Sequence, residues 1–336
     1  RSLRVLTLTT VCCVAVAAAG AIDTVTIYYW GSENDALALD QIQDFESLHN
    51  GSDGRPAINV IMGQSATINK TDDPQRLLTA VAGGDPPDVV WFDRFAVGEW
   101  AGRGAFQSLQ PFLERDQQTC PDDPFTLSEE QFFTPCWAEA NYRGELFAVP
   151  SVTDNRILYY NLDALEKFAP ELIAAGCVNP DDPTKVGPPR TWPQLKDAAR
   201  ILTEWDDKGR LEKVGFIPNY GNSWLYIYGW LNGGTFMSDD GYTCTLNSPE
   251  IVDALAYMTE VYDIMGGAEA VTAFQTALQG GDLDPVLSGR IAMKIDCDWF
   301  INHIANMKRD MRFGVALATS TDRKSTRLNS SHTIQS

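Results

Sequence analysis

The stretch Thr24-Val25-Thr26-Ile27-Tyr28-Tyr29-Trp30 is rich in β-branched and aromatic residues and alternates along its length, so it predicts a strand. Residues 36–48 carry helical spacing through Leu37, Leu39, Ile42 and Phe45. Residues 57–62 read as a second strand, and residues 74–81 as a helix stopped by Gly83 and Gly84. After the break at Pro86 and Pro87, Asp88-Val89-Val90-Trp91-Phe92 is a short apolar strand. Strand, helix, strand, helix, strand is the rhythm of a parallel sheet covered by helices.

The same alternation continues through the chain. Residues 146–149 and 156–160 are expected strands on either side of Pro150. Thr191 is placed to cap a helix that has Pro193 in its first turn and Leu195, Ala198, Ala199 and Leu202 on one face. Residues 215–217 are strand-like. Pro249 opens another helix, with Ile251, Ala254, Leu255, Met258, Val261 and Tyr262 expected to face inward. Residues 291–295 and 313–317 are the last strands. The fold class is therefore α/β, and 336 residues suffice for two domains.

Composition narrows the function classes. The chain is 44% apolar and 21% charged, which is globular. No apolar run reaches the ~20 residues of a membrane span, so a multi-pass transporter is excluded. Forty-five acidic residues against 26 basic ones give a net charge of −19, which disfavours a nucleic-acid partner. His49, His303 and His332 are the only histidines, a poor supply for His-dependent catalysis or metal binding. No CxxC or His/Cys cluster suggests zinc, and no cofactor motif is present. Nine tryptophans are a surplus that needs a use.

Both ends read as something other than the folded body. Arg1 and Arg4, an apolar run to Ala19 and the small residues Ala17-Ala18-Ala19-Gly20-Ala21 make residues 1–21 a signal peptide, so the protein is expected to be exported. Cys12 raises the alternative of a membrane-tethered lipoprotein, although Val11 before it is the wrong residue for that processing. Residues 322–336 begin Asp322-Arg323-Lys324-Ser325-Thr326-Arg327-Leu328-Asn329-Ser330-Ser331-His332 and look like a translated sequencing-library adapter. They are set aside as an artefact. Export permits disulfides. Cys120 and Cys136, flanking a Pro-rich acidic stretch, are the preferred pair among Cys120, Cys136, Cys177, Cys244 and Cys297.

Six segments in order resemble the extracellular solute-binding proteins of ABC importers, family 1, the class of maltose-binding protein. They are Ala82-Gly83-Gly84-Asp85-Pro86-Pro87-Asp88-Val89-Val90, then Asp93-Arg94-Phe95, Gly144-Glu145-Leu146-Phe147-Ala148-Val149-Pro150, Tyr159-Tyr160-Asn161, Pro189-Arg190-Thr191-Trp192 and Gly289-Arg290-Ile291-Ala292-Met293 continuing to Trp299. The similarity covers about residues 24–319. It implies a two-lobe periplasmic-binding-protein fold with several inter-lobe hinge strands, incomplete at the C-terminus. The first lobe would be residues 22–152 and the second 153–315, with crossovers near 151–155 and at 316–321. It also implies a monomeric periplasmic or extracellular receptor that binds a sugar in an inter-lobe cleft and delivers it to an ABC permease. No chemistry on the ligand is implied. Hinge closure around a ligand is a known switching mode of such architectures.

A sugar offers a hydroxyl rim and apolar C–H faces, so its site needs carboxylates, amides or Arg at the edge and aromatic planes above and below. The ends of the expected strands supply Trp30, Ser32, Glu33, Gln64, Asp93, Arg94, Asp154, Trp224, Asn232, Asp296, Asp298 and Trp299. Trp299 is the candidate stacking ring, whereas Trp91 reads as core and Asp93 with Arg94 could be a local ion pair. Clustered carboxylates beside Trp299 keep a polyamine open as an alternative ligand, and Arg94 gives thin support to a phosphate ester. A secreted glycoside hydrolase would need two flanking carboxylates, which Asp93, Asp154, Asp296 and Asp298 could supply in principle.

Overall fold

The computed structural model describes residues 24–31, 36–64, 74–153, 155–278 and 283–321. The signal segment, Ser32, Glu33, Asp154 and residues 322–336 lie outside the described residues, as does the side chain of Gln64. The chain divides into two compact units at Pro150 and Ser151.

In the first unit β1 (Val25–Gly31), α1 (Ala36–Leu48), β2 (Ile58–Gln64), α2 (Pro74–Gly83) and β3 (Val89–Val90) follow one another. The strands form a parallel sheet in the order β2-β1-β3, with Val25 opposite Ile58 and Trp30 opposite Val90. Helices α3 (Val97–Gly102), α4 (Gln110–Thr119) and α5 (Thr134–Glu139) come next. Leu77, Ala96 and Trp100 are buried together, with Trp30, Phe92 and Phe106 packed against them. Phe92 meets Trp100 and Phe106 edge-on at 5.1 and 4.9 Å. Parallel sheets are normally covered on both faces; here Val25, Tyr28, Ile61 and Val89 are exposed, as are Leu37 and Leu48 of α1.

Two expectations need correcting in this unit. Of the strand expected over residues 146–149, only Leu146 lies in a strand. β4 (Asn141–Tyr142) and β5 (Glu145–Leu146) instead form a short antiparallel hairpin. Arg143 and Gly144 both have positive φ, at 54° and 85°, as a two-residue hairpin turn of the primed kind demands. Nor is a Cys120–Cys136 bridge formed. Both are free thiols, Cys120 exposed at the end of α4 and Cys136 held in the first turns of α5.

The second unit runs β6 (Arg156–Asn161), α6 (Leu162–Lys167), α7 (Ala169–Ala174), α8 (Trp192–Ile201), β7 (Glu204–Trp205), β8 (Leu211–Phe216) and α9 (Leu225–Leu231). It continues with α10 (Pro249–Ile264), α11 (Gly267–Leu278), β9 (Ile291–Cys297), α12 (Phe300–Met307) and β10 (Phe313–Leu317). The five-stranded sheet has the order β10-β6-β9-β8-β7. Only β8 and β9 are parallel; the other three pairings are antiparallel. β9 is central and buried along its whole length.

Local chemistry explains these elements. The Thr191 hydroxyl accepts the Gln194 N–H at 3.4 Å and Pro193 lies in the first turn, so α8 starts where expected. Trp192 stacks on Tyr257 of α10 at 4.3 Å, joining two helices over the sheet. A side chain at Gly215 would lie 2.4 Å from the Ala199 carbonyl oxygen, so only glycine lets β8 approach α8 this closely. In α10 Ile251, Ala254, Met258 and Val261 are buried as expected, but Leu255 is exposed and Tyr257 takes its place inside. Residues 316–320, expected in a crossover, are built into the second unit. β10 pairs with β6 through Leu317, and the Trp192 indole donates to the Thr319 carbonyl at 3.0 Å.

Glu204 bridges β7 to its surroundings, pairing with Lys167 at 2.7 Å and Lys213 at 3.3 Å. The Lys167 bond, aided by Lys213, holds its carboxyl below the ordinary 4.5. A lowered carboxyl pKa contributes stability that is present above 4.5 and lost as the pH falls through the folded-state value. Glu204→Gln is therefore expected to lower the urea midpoint near neutrality, with the gap to wild type closing as the pH falls below 4.5 and through the lowered folded-state value. A gap that stays constant would contradict this.

Candidate ligand-binding site

Because β8 and β9 are parallel, the segments that leave them emerge at one end of the sheet. Arg156, at the start of β6, pairs with Cys297 at the end of β9 and so lies at that same end. In an open α/β sheet this carboxyl end is where ligands bind.

Trp299 lies two residues past the end of β9. It precedes the first turn of α12 and is 42% exposed, while its neighbour Phe300 is buried and anchors the turn. Its ring meets the His303 ring at 5.0 Å and Phe300 at 6.3 Å, both edge-on. The Tyr159 hydroxyl donates to the Cys297 carbonyl at 2.9 Å and more weakly to that of Asp298 at 3.4 Å. Burial, with Asp296 and Asp298 nearby, pushes that hydroxyl's pKa well up, so it stays a proton donor. Asp298, the residue before Trp299, is exposed.

Trp224 lies in the segment that leaves the neighbouring strand β8. It precedes α9 and is 54% exposed. The buried Ser223 hydroxyl donates to the carbonyls of Pro218 at 2.6 Å and Tyr220 at 3.0 Å, which fixes the loop behind it. Arg156 Nε donates to the Asn222 carbonyl at 3.0 Å. Trp224, Tyr226, Trp230 and Phe236 then form an edge-on aromatic row with centroid spacings of 6.1, 5.0 and 6.0 Å.

Several of the expected residues are engaged within the fold. Asp296 is buried: its Oδ1 accepts from Asn222 Nδ2 and Cys297 N, both at 2.8 Å, and its Oδ2 pairs with Lys294 at 2.7 Å. Both oxygens are taken, which removes Asp296 from the edge groups and from any acid/base pair. Asn232 donates to the Glu250 carbonyl at 2.8 Å and ties α9 to α10. In the first unit Trp30 is half-buried, packed against the Trp100 cluster, with the Arg76 guanidinium 4.5 Å above its ring. Trp91 is half-buried rather than fully inside. Arg94 pairs with Glu139 at 2.8 Å rather than with Asp93; both partners are over a third exposed, so the pair is worth at most about 1 kcal/mol. Asp93 stands at the start of the short turn Arg94–Ala96 without capping it through its side chain.

Lys294, Asn222 and Trp230 were not singled out by the sequence. Only Lys294 carried a signal, a lone charge inside the apolar run of β9. Among the described residues no group of three or more His, Cys, Asp or Glu is placed to hold a metal ion. What this sheet end offers is two accessible indole faces, an exposed carboxylate and a guanidinium engaged with the loop. That is the chemistry of recognising a ligand with apolar faces and a polar rim.

Comparison with known proteins places the chain. A curated relative, a probable ABC transporter-binding protein of Deinococcus radiodurans, is 28% identical over 117 residues, which is 33% of this chain and 24% of that protein. The chain thus spans about a quarter of the length of that relative. The solved structure of CpMnBP1 with mannotriose bound is 23% identical with a TM-score of 0.64, covering 89% of this chain and 68% of the other. The ABC substrate-binding protein Lmo0181 from Listeria monocytogenes in complex with cycloalternan is similar at 23% identity and a TM-score of 0.64, covering 90% and 68%. At these identities the likeness to the solved structures is one of fold. The match to the family itself runs over residues 30–312, most of the chain. The chain belongs to the bacterial extracellular solute-binding protein family.

Proposed function

We propose that the protein is an exported receptor for a carbohydrate, which it delivers to an ABC-type permease. The observation that carries this reading is the accessible Trp299 ring just past the end of the buried β9, preceded in sequence by the exposed Asp298. A sugar stacks its C–H face on such a ring and gives its hydroxyls to the neighbouring polar groups. Trp224, presented from the same sheet end, is a second platform. The carbohydrates held by the two solved relatives, mannotriose and cycloalternan, support the same ligand class. The family and its structural neighbours are binding proteins rather than enzymes. The buried Asp296 supports a neutral sugar over a polyamine, because one of the two carboxylates expected to meet a cation is already paired with Lys294.

Thermal-shift measurement of the full chain tests this. A ligand at a hundred times its Kd stabilises the folded state by about 2.7 kcal/mol. Mannotriose, maltotriose and related oligosaccharides are the panel, with spermidine and glucose 6-phosphate as controls. A rise with at least one oligosaccharide and none with the controls is expected. A rise with spermidine alone would replace the sugar by a polyamine.

A further inference from the structure

Lys294 is 1% exposed in the middle of an apolar strand, where an unpaired ammonium would be prohibitively costly. Its Nζ pairs with Asp296 Oδ2 at 2.7 Å and Asp284 Oδ2 at 3.0 Å and sits 3.3 Å from the centre of the Phe300 ring. Asp296 uses its other oxygen for Asn222, one residue from Ser223 and two from Trp224. The cation also faces Tyr220, whose hydroxyl lies 3.4 Å from Asp284. The cluster therefore touches both segments that present a tryptophan: Tyr220 and Asn222 ahead of Trp224, and Asp296 and Phe300 around Trp299. Gly221 lets the loop come this close, since a Cβ there would lie 2.9 Å from the Ile295 carbonyl oxygen and 3.1 Å from Asp296 Oδ2.

We propose that Lys294, Asp296 and Asn222 form a buried polar latch that sets the placement of Trp224 and Trp299 relative to each other. Calling this a positioning device for ligand rests on the receptor reading above; the latch itself does not. Well-packed apolar residues would serve stability as well as a buried ion pair does. What they would lack is direction. A carboxylate with one oxygen on the cation and the other on an amide ties two segments at a single geometry. Lys294, Asp296 and Asn222 are positioning residues, since they act through the two indoles.

The test reads the indoles themselves. The full chain is labelled with 5-fluorotryptophan, and the Trp224 and Trp299 fluorine resonances are assigned from Trp224→Phe and Trp299→Phe. Asn222→Ala is expected to move the Trp224 line while leaving those of Trp100 and Trp137 in place. Asp296→Asn is expected to move both the Trp224 and the Trp299 lines. A Trp224 line unmoved in Asn222→Ala overturns the proposal. So does movement of only one line, or neither, in a folded Asp296→Asn protein. Should Asp296→Asn fail to fold, Asn222→Ala decides alone. A purely structural role would lower the melting temperature without moving these two lines selectively. The spectra are recorded without ligand, so a failure of sugar binding would not change what they show about the latch.

Discussion

Lys294→Met is expected to remove about 3–5 kcal/mol of stability from the second unit, the range for breaking a buried ion pair from one side. The substitution keeps the length and most of the apolar contact of the side chain, so little of the loss comes from a cavity. It arises because Asp296, 1% exposed, loses its cation and is left with only two hydrogen bonds. With total stabilities of about 5–15 kcal/mol, such a loss brings the domain close to its unfolding threshold. Urea unfolding followed by far-UV circular dichroism reads it directly. Lys294→Met with Asp296→Leu should recover part of the loss, because the fully buried carboxylate is then gone and the cation's other partner, Asp284, is 23% exposed and reached by water. Equal destabilisation in the single and double variants would show that packing around β9, not the charge pair, is at stake.

Trp299→Ala is expected to weaken binding of a stacked oligosaccharide by about 1–3 kcal/mol, roughly 5- to 150-fold in Kd. The indole is over two-fifths exposed, so its removal leaves little cavity and should hardly affect stability. Loss of affinity with an unchanged melting temperature is thus the signature of a ligand-facing ring. His303, edge-on at 5.0 Å, and the buried Phe300 hold that ring but do not replace its face. Affinity unchanged in calorimetry would take Trp299 out of the site and leave Trp224 as the principal platform.

Local signals carried most of the fold. β1, α1, the capped start of α8, the Pro-initiated α10 and β10 were legible because alternation, helical spacing and caps act within a few residues. The hairpin at Arg143 and Gly144 was not, since Gly144 suits a turn and a strand start alike until its positive φ is seen. The second unit's mixed sheet was also hidden. Strand direction depends on how distant segments return, and β6 pairs with β9 across more than a hundred residues. The site followed the same division. The exposure of Trp299 and Asp298 could be expected from their position after a strand. Asp296, still within the strand, could not, because its burial depends on Lys294, Asn222 and the loop at Gly221. Arg94 found a partner 45 residues away in Glu139, and Asn232 found the Glu250 carbonyl; neither choice is written in local spacing.

Isothermal calorimetry of the full chain against neutral oligosaccharides, with the recovered sugar analysed by chromatography, tests the central claim most directly. Saturable one-site binding of at least one oligosaccharide is expected, weakened in Trp299→Ala, with the sugar returned uncleaved. Hydrolysis of the sugar, or heat with spermidine and none with any oligosaccharide, would contradict it.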